Sequence, residues 1–381
     1  MNDDTTNDTD NASDLAWYPY EPDEVPAPGD SLLETLEALE MSQSKLAART
    51  GLTLKHINQI VKGNSAITPA TAIALERATG MPAAFWNTLE ADYQDHKVRT
   101  DELAALSDHA GWLDRMPLKA LRDRGHVTAT RSDPGRQLQQ VLAFFGVGSL
   151  DAWERAWDQP AAAFLQSGAY EIDAAAVAAW LRLGELAAEE VAKEVAFEPF
   201  DRAVLRAALP KLRAMTVQSP DDFFPELVAT CASAGVCLVV VPDVVGTRAS
   251  GASRFISPTR AVVQLSNRGK RNDKFWFALF HELGHLLLHS KKETFMRFPD
   301  TKAGAGAQAQ IEQEANDFAG RLLIPAEAET DLAAIKTPAD AVALAKRLGI
   351  APAIVAGRHQ HEANDWRFGQ PKLFETYEIR D

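Results

Sequence analysis

The sequence predicts a mainly α N-terminal half followed by a C-terminal α+β domain with a small sheet. Three observations predict this. Short helical segments with good caps and tight turns fill residues 31–93. Apolar residues then recur at three- and four-residue steps through residues 96–215. Continuous β-branched runs first appear near residue 220, interleaved with further helical stretches. A chain of 381 residues, 46% of them hydrophobic and 24% charged, has enough apolar material for two or three domains with real cores.

The boundaries follow from changes in texture. Residues 1–28 read as a disordered acidic tail. Residues 1–30 carry nine Asp and Glu and no Lys or Arg, so of the net charge of −14 only −5 belongs to the rest of the chain. The tail ends at "EPDEVPAPGD", where proline and glycine punctuate the chain. Its opening, "MNDDTTNDTDNASD", is the opposite of a basic-then-apolar signal peptide, and no apolar run approaches the roughly 20 residues that span a bilayer. The expectation is a cytoplasmic chain with no membrane partner. Cys231 and Cys237, the two cysteines, make no disulfide framework and read as buried small hydrophobes.

Residues 29–95 read as helix, tight turn, helix. Ser42 is placed to cap "QSKLAART", and Gly51 supplies the left-handed residue that ends it. Thr53 caps the next helix, whose apolar positions are Leu54, Ile57, Ile60 and Val61. That leaves Lys55, His56, Asn58, Gln59 and Lys62 facing outward. A helix of this kind fits a DNA major groove, with lysines on phosphates and Asn, Gln or His on base edges. Gln43, at the start of the preceding helix, is placed to hold a phosphate. Eight acids against six bases over residues 30–97 predict weak non-specific attraction to DNA. The competing reading is a small helical module for protein contacts or homodimerisation.

Residues 96–218 read as a helical linker. "RQLQQVLAFFGVGSLDAWERAW" and "AAAVAAWLRLGELAAEEVAKEV" have helical apolar spacing, and the small residues of the second allow close packing. No chemical motif falls here.

Residues 219–381 change character. "GVCLVVVPDV" (235–244), "GASRFIS" (251–257) and "RAVVQLS" (260–266) read as strands. "NDKFWFALFHELGHLLLHS" (272–290) reads as one helix capped by Asn272 or Asp273, and "QAQIEQEANDFAGRLLIP" (308–325) as another stopped by Pro325. Two more short helices follow, "PADAVALAKRLG" and one beginning near Pro352.

The first of these helices carries three histidines and a glutamate in an otherwise apolar stretch, "FALFHELGHLLLH". His281 and His285, four apart, project from one face and can reach one metal ion. Glu282 lies one step round, able to contact a water on that metal rather than the metal itself, which is the H-E-x-x-H arrangement of zinc peptidases. Gly284 is read as leaving room above the metal. His289 lies eight residues from His281, about 12 Å along the axis, too far to converge with both histidines on one ion. It is expected at the site margin or as a helix C-terminal cap. A third ligand must come from another helix. Glu312 lies beside that helix's buried stripe with Asn316 one turn on, so Glu312 can take the metal while Asn316 holds a ligand histidine's second nitrogen. Glu314 is the other candidate. At roughly 100° per residue it falls about 200° round and is expected to face solvent. Arg358, His359 and His361 are late-chain candidates for stabilising an oxyanion, and ordinary surface positions suit them better.

Two resemblances follow from these residues. Residues 31–93, with "MSQSKLAARTGLTLKHINQIVKGNSAITPATAIALERATG", resemble the Cro/C1-type (XRE) helix-turn-helix, in its HigA-like antitoxin version. Residues 220–360 resemble the ImmA/IrrE family of metallopeptidases, through "FWFALF", "HELGHLLLH", "EQEANDFAGRLLIP" and "TPADAVALAKRLGIAPAIVAGR". The second resemblance implies a zincin-like domain with Zn2+ on His281, His285 and Glu312, and a catalytic Glu282. It implies a protein substrate, a repressor or antitoxin, whose cleavage switches on stress or mobile-element genes. The alternative is a non-proteolytic transcription factor or antitoxin with a sensory or structural zinc site.

Overall fold

The computed structural model describes residues 25–158, 173–266, 271–289, 295–297 and 307–377. The expected acidic tail lies, up to residue 24, outside the described residues. Contacts divide the chain into two compact units, one ending at Asp108 and one starting at His109.

The first unit is five helices: α1 (Pro28–Ala38), α2 (Gln43–Thr50), α3 (Leu54–Val61), α4 (Pro69–Thr79) and α5 (Ala83–Ser107). Side-chain caps start three of them. Ser42 Oγ accepts from Lys45 N–H, Thr53 Oγ1 from His56 N–H, and Thr68 Oγ1 from Thr71 N–H. Gly51 ends α2 at φ 76°, where a β-carbon would be strained. Leu32, Leu36, Leu46, Ile57, Ile60, Leu75 and Trp86 form the core. Buried Glu90 of α5 accepts from Ile67 N–H at 2.9 Å, which ties the turn before α4 to the long helix. Leu54 departs from expectation. One of the apolar positions of α3, it is nonetheless 43% exposed, standing at the first position of a helix only eight residues long whose core contacts come from Ile57 and Ile60.

The second unit is built around one mixed sheet. Short helices α6 (Leu118–Asp123), α7 (Pro134–Phe145) and α8 (Leu150–Trp153) lead into α9 (Ala174–Glu194), α10 (Arg202–Ala214) and α11 (Pro220–Ala232). The strands are β1 (Val236–Val240), β2 (Gly251–Ser257), β3 (Arg260–Leu265) and β4 (Phe295–Arg297), in the order β1-β3-β2-β4. β1 runs parallel to β3, whereas β2 is antiparallel to both its neighbours. The β1 strand stops short of its expected end, since Pro242 has no N–H to continue a ladder. β4 is a finding that periodicity did not foresee, at three residues too short to show any.

Helices cover both faces of the sheet. On one lie α12 (Asn272–Leu288) and, against it, α13 (Ala307–Leu323). α14 (Glu329–Ala333), α15 (Pro338–Leu348) and α16 (Pro352–Ala363) complete that side. The start of α12 differs from the expected cap. Arg271 is the N-cap residue, and Asn272 spends its side-chain oxygen on the N–H groups of Asp273 and Glu375 instead. Trp276, Leu279, Phe280, Leu283 and Leu286 join Leu238, Val263 and Leu265 in one core.

α9 packs on β1 and β3. It is buried on most sides, and its backbone is held by polar groups from the strands. Gln264 donates to Trp180 O at 2.7 Å, Arg254 donates to Leu181 O at 2.7 Å, and Trp180 Nε1 donates to Val241 O at 3.1 Å. Gly184 makes this possible, because a β-carbon there would stand 1.8 Å from the Gln264 oxygen. Buried Arg254 also lies 3.5 Å from Glu185, which offsets part of the cost of its desolvation. Among the described residues no helix is long and apolar enough to cross a membrane.

Candidate metal centre

From Phe275 to Leu288, α12 is apolar except for His281, Glu282 and His285, and all three are fully buried. Burial of such groups is costly unless each has a partner. The structure supplies them from α13 and β2. The one-turn spacing brings His281 Nε2 to 3.0 Å from His285 Nε2. Glu312 of α13 reaches the same place, with Oε2 3.3 Å from His281 Nε2 and Oε1 3.4 Å from His285 Nε2. Among the described residues these three alone form a group of metal-binding type, their ligand atoms within 4.8 Å of one another. Burial pushes the Glu312 carboxyl up, but hydrogen bonds and charge from His281 and His285 outweigh it and hold it at about 2.

The two histidine–Glu312 distances are of the size expected around a divalent ion, and the histidine pair stands somewhat closer. Donors about 2.0–2.1 Å from a tetrahedral centre stand about 3.3–3.4 Å apart. The tautomers fit as well. Asn316 Oδ1 lies 3.1 Å from His281 Nδ1, so Nδ1 carries the proton and Nε2 presents its lone pair to the group. Asn316 stands one turn beyond Glu312, so one face of α13 supplies both contacts. On His285, Nδ1 lies 3.1 Å from His289 Nδ1, while His289 Nε2 lies 3.1 Å from Glu314 Oε2. A carboxylate only accepts, so neutral His289 has its proton on Nε2 and accepts through Nδ1. His285 Nδ1 is then the donor, and its Nε2 also presents a lone pair. Two lone pairs at 3.0 Å repel unless a positive charge lies between them.

Glu282 is held from the sheet rather than from α13. Ser253 of β2, itself fully buried, donates from Oγ to Glu282 Oε2 at 2.7 Å. Gly251 brings its backbone close to the same carboxylate. Sequence spacing gave no hint of either contact.

One further expectation changes, and two others gain a contact. The space at Gly284 serves helix packing, not the metal. A β-carbon there would stand 2.9 Å from Phe318 and 3.6 Å from Ala315, both on α13. Glu314 is 46% exposed, yet its carboxylate does more than face solvent, since it takes hydrogen bonds from His289 and from Gln310 Nε2 at 2.9 Å. Those two partners, Gln310 first, hold it below the usual carboxylate range. His289 is the C-cap residue of α12, its carbonyl accepting from Arg202, and its ring stands against His285. The signal in the sequence was a second i, i+4 histidine pair, His285 and His289. Arg358 lies beside Gly320, two turns along α13 from Glu312, and pairs with Glu362 and Glu329.

In the first unit, Lys55, Gln59, Lys62 and Thr53 are exposed, and Gln43, His56 and Asn58 are half-buried. Thr53 Oγ1 is committed to the cap of α3. From Met41 to Leu75 the chain has four bases, Lys45, Arg49, Lys55 and Lys62, and no acid. The acids of the module are therefore confined to residues 30–40, α5 and Glu76 of α4, and the stretch containing α2 and α3 is locally basic.

Comparison with known proteins assigns both regions. Residues 239–359 match the family model described as the IrrE N-terminal-like domain of the M78 peptidases, and residues 32–86 match the model described as helix-turn-helix. The chain thus carries one stretch similar to helix-turn-helix modules and, after it, one similar to an M78 peptidase-family domain. Among similar solved structures is an addiction module antidote protein of the HigA family from Coxiella burnetii. It shares 26% identity over 22% of this chain and 94% of its own, with a TM-score of 0.21. No curated protein matches.

Proposed function

We propose that this chain is a zinc-dependent endopeptidase joined to a DNA-binding module, and that it regulates transcription in the cytoplasm by cutting a partner repressor or antitoxin. In this reading residues 29–95 bind an operator, residues 219–381 hydrolyse, and residues 96–218 connect the two while α9 braces the sheet. His281, His285 and Glu312 hold Zn2+, and Asn316 orients His281. Bound there, the ion supplies Lewis acidity to a water and to the scissile carbonyl. Glu282, kept in place by Ser253, takes the water's proton on its carboxylate and hands it to the leaving amine. The buried walls of α12 limit bulk water around this transfer.

One observation carries the hydrolytic reading. Three ligand atoms, from His281, His285 and Glu312, lie within 4.8 Å of one another beside a buried glutamate that is not one of them, inside the stretch matching the peptidase family. The DNA reading rests on the acid-free segment with an exposed α3. Lys55 and Lys62 would contact phosphates, as would Gln43 and Thr53, while His56, Asn58 and Gln59 face bases. A homodimer would present two α3 helices to two half-sites.

The test compares cells producing the wild-type chain with cells producing Glu282→Gln, by profiling new protein N-termini and by metal analysis of both purified proteins. Both should carry about one zinc per chain, and only the wild type should generate a new N-terminus in a regulatory protein. Regulation that persists in Glu282→Gln would replace this reading with a zinc-sensing transcription factor that cuts nothing.

A further inference from the structure

The geometry points to His289 and Glu314 as a positioning pair that sets which nitrogen of His285 meets the metal. This inference rests on the reading that His285 is a ligand. It adds two residues outside the H-E-x-x-H pattern and outside the three ligands.

With both imidazoles neutral, one direction for each link satisfies every contact. Gln310 Nε2 donates to Glu314 Oε1 at 2.9 Å, which steadies the carboxylate. Glu314 Oε2 accepts from His289 Nε2–H at 3.1 Å. His289 Nδ1 then accepts from His285 Nδ1–H at 3.1 Å. A neutral imidazole has one proton, so a donor at Nδ1 leaves Nε2 as the lone pair, and that is the atom 3.0 Å from His281 Nε2. Without an acceptor at residue 289, His285 could place its proton on Nε2 and present nothing to an ion.

The pair is built into the fold rather than attached to its surface. His289 sits where α12 ends, its N–H bonded to His285 O and its carbonyl taking a hydrogen bond from Arg202 of α10. The backbone is thus fixed from two sides, and the ring of His289 lies 5.1 Å, centre to centre, from that of His285. On α13, Glu312 and Glu314 divide the work. Glu312 points to both ligand nitrogens, and Glu314, two residues on, reaches the outer side of the same imidazole through His289. His281 is treated alike by Asn316, so each ligand histidine has its own acceptor.

The experiment measures Zn2+ affinity of the full chain by competition with a chromophoric chelator, for wild type, His289→Ala, His289→Gln, Glu314→Ala and Glu314→Gln. Gln313→Ala, an exposed neighbour, is the control. Loss of an outer hydrogen-bond partner typically weakens metal binding by about 10–100-fold. His289→Ala should fall in that range and Glu314→Ala near its lower end. His289→Gln should recover most of the affinity, because its amide oxygen accepts from His285 Nδ1–H. Glu314→Gln should stay close to wild type, because it keeps an acceptor and loses only charge. Side-chain ¹⁵N–¹H spectra of the zinc-loaded protein should show a proton on His285 Nδ1 that His289→Ala loses or exposes to exchange.

Wild-type affinity in His289→Ala overturns the inference while leaving the metal site standing. So does a Glu314→Gln loss as large as that of Glu314→Ala, which would mean that charge alone is acting. Should His289→Ala fail to fold, the two Glu314 variants, altered at a half-exposed position, decide the question. A wild-type chain that binds no zinc ends the metal reading itself, and the pair with it.

Discussion

Gly251 and Glu282 are in direct contact. A β-carbon on residue 251 would stand 2.6 Å from Oε1 of Glu282, nearer than real β-carbons approach any atom. Glu282 is fully buried on a helix packed against the sheet, so its carboxylate has little room to yield. Gly251→Ala should therefore displace the proposed base without touching a ligand. We expect zinc content to be unchanged and turnover to fall about 100-fold, the usual cost of a misplacement near 1 Å. Metal analysis and cleavage measured on one preparation check this, and normal turnover would show that the contact does not matter.

Ser253 provides the hydrogen bond that Glu282 accepts, and both groups are buried. Ser253→Ala removes the donor and leaves the oxygen without that proton. The expected loss is about 1–3 kcal/mol of folding stability. Urea denaturation of the two proteins would reveal it, and equal midpoints would count against the assignment.

Lys55 and Lys62 stand exposed at the two ends of the α3 region. Each, replaced by alanine, should weaken operator binding and lower the slope of log affinity against log salt by about 1. Gln59→Ala should instead relax preference at one base pair, worth about 1–3 kcal/mol. Fluorescence anisotropy on a DNA site obtained by selection from random sequence separates the two effects. Binding indifferent to all three substitutions would assign the module to protein docking.

Burial pushes the Cys231 thiol up to about 12, with neighbouring Cys237 adding to it, and burial pushes Cys237 up to about 11. Unfolding returns both to about 9. The unfolded chain therefore releases protons that the folded chain retains, and stability should decline from about pH 9 upward. Below pH 9 both thiols are protonated in either state and contribute no slope. Thermal unfolding from pH 7 to 11 should show that decline, smaller in Cys231→Ala. Iodoacetamide at pH 8 should leave the native protein unlabelled and modify both residues in denaturant.

What could be read from the sequence was what depends on near neighbours. The caps of Ser42 and Thr53, the left-handed Gly51 and the one-turn pairing of His281 with His285 are all local patterns. The wheel position that separates Glu312 from Glu314 is local too. What escaped depends on elements brought together from a distance. Ser253 meets Glu282 across 29 positions, and His289 meets Glu314 across 25. Gly284 was given to the metal because nothing in the sequence revealed that Phe318 of α13 would fill the gap. Leu54 belongs to the apolar pattern yet lies exposed, since periodicity does not know where a short helix runs out of core to cover. Helix α9 did leave a trace. "AAAVAAWLRLGELAA" is apolar nearly all round, which is the pattern of a helix covered on most sides.

Strand β2 delivers Ser253 to the carboxylate of Glu282 and the next residue, Arg254, to the backbone of α9 on the opposite side. Side chains alternate strictly along a strand, so a slip of a single residue would exchange those destinations and drive a guanidinium into the pocket of the proposed base. One inserted or deleted residue between Gly251 and Arg254 would thus disable chemistry and architecture together. β2 acts as a ruler with the catalytic machinery at one edge and the scaffold at the other, and its graduation cannot be shifted for either alone.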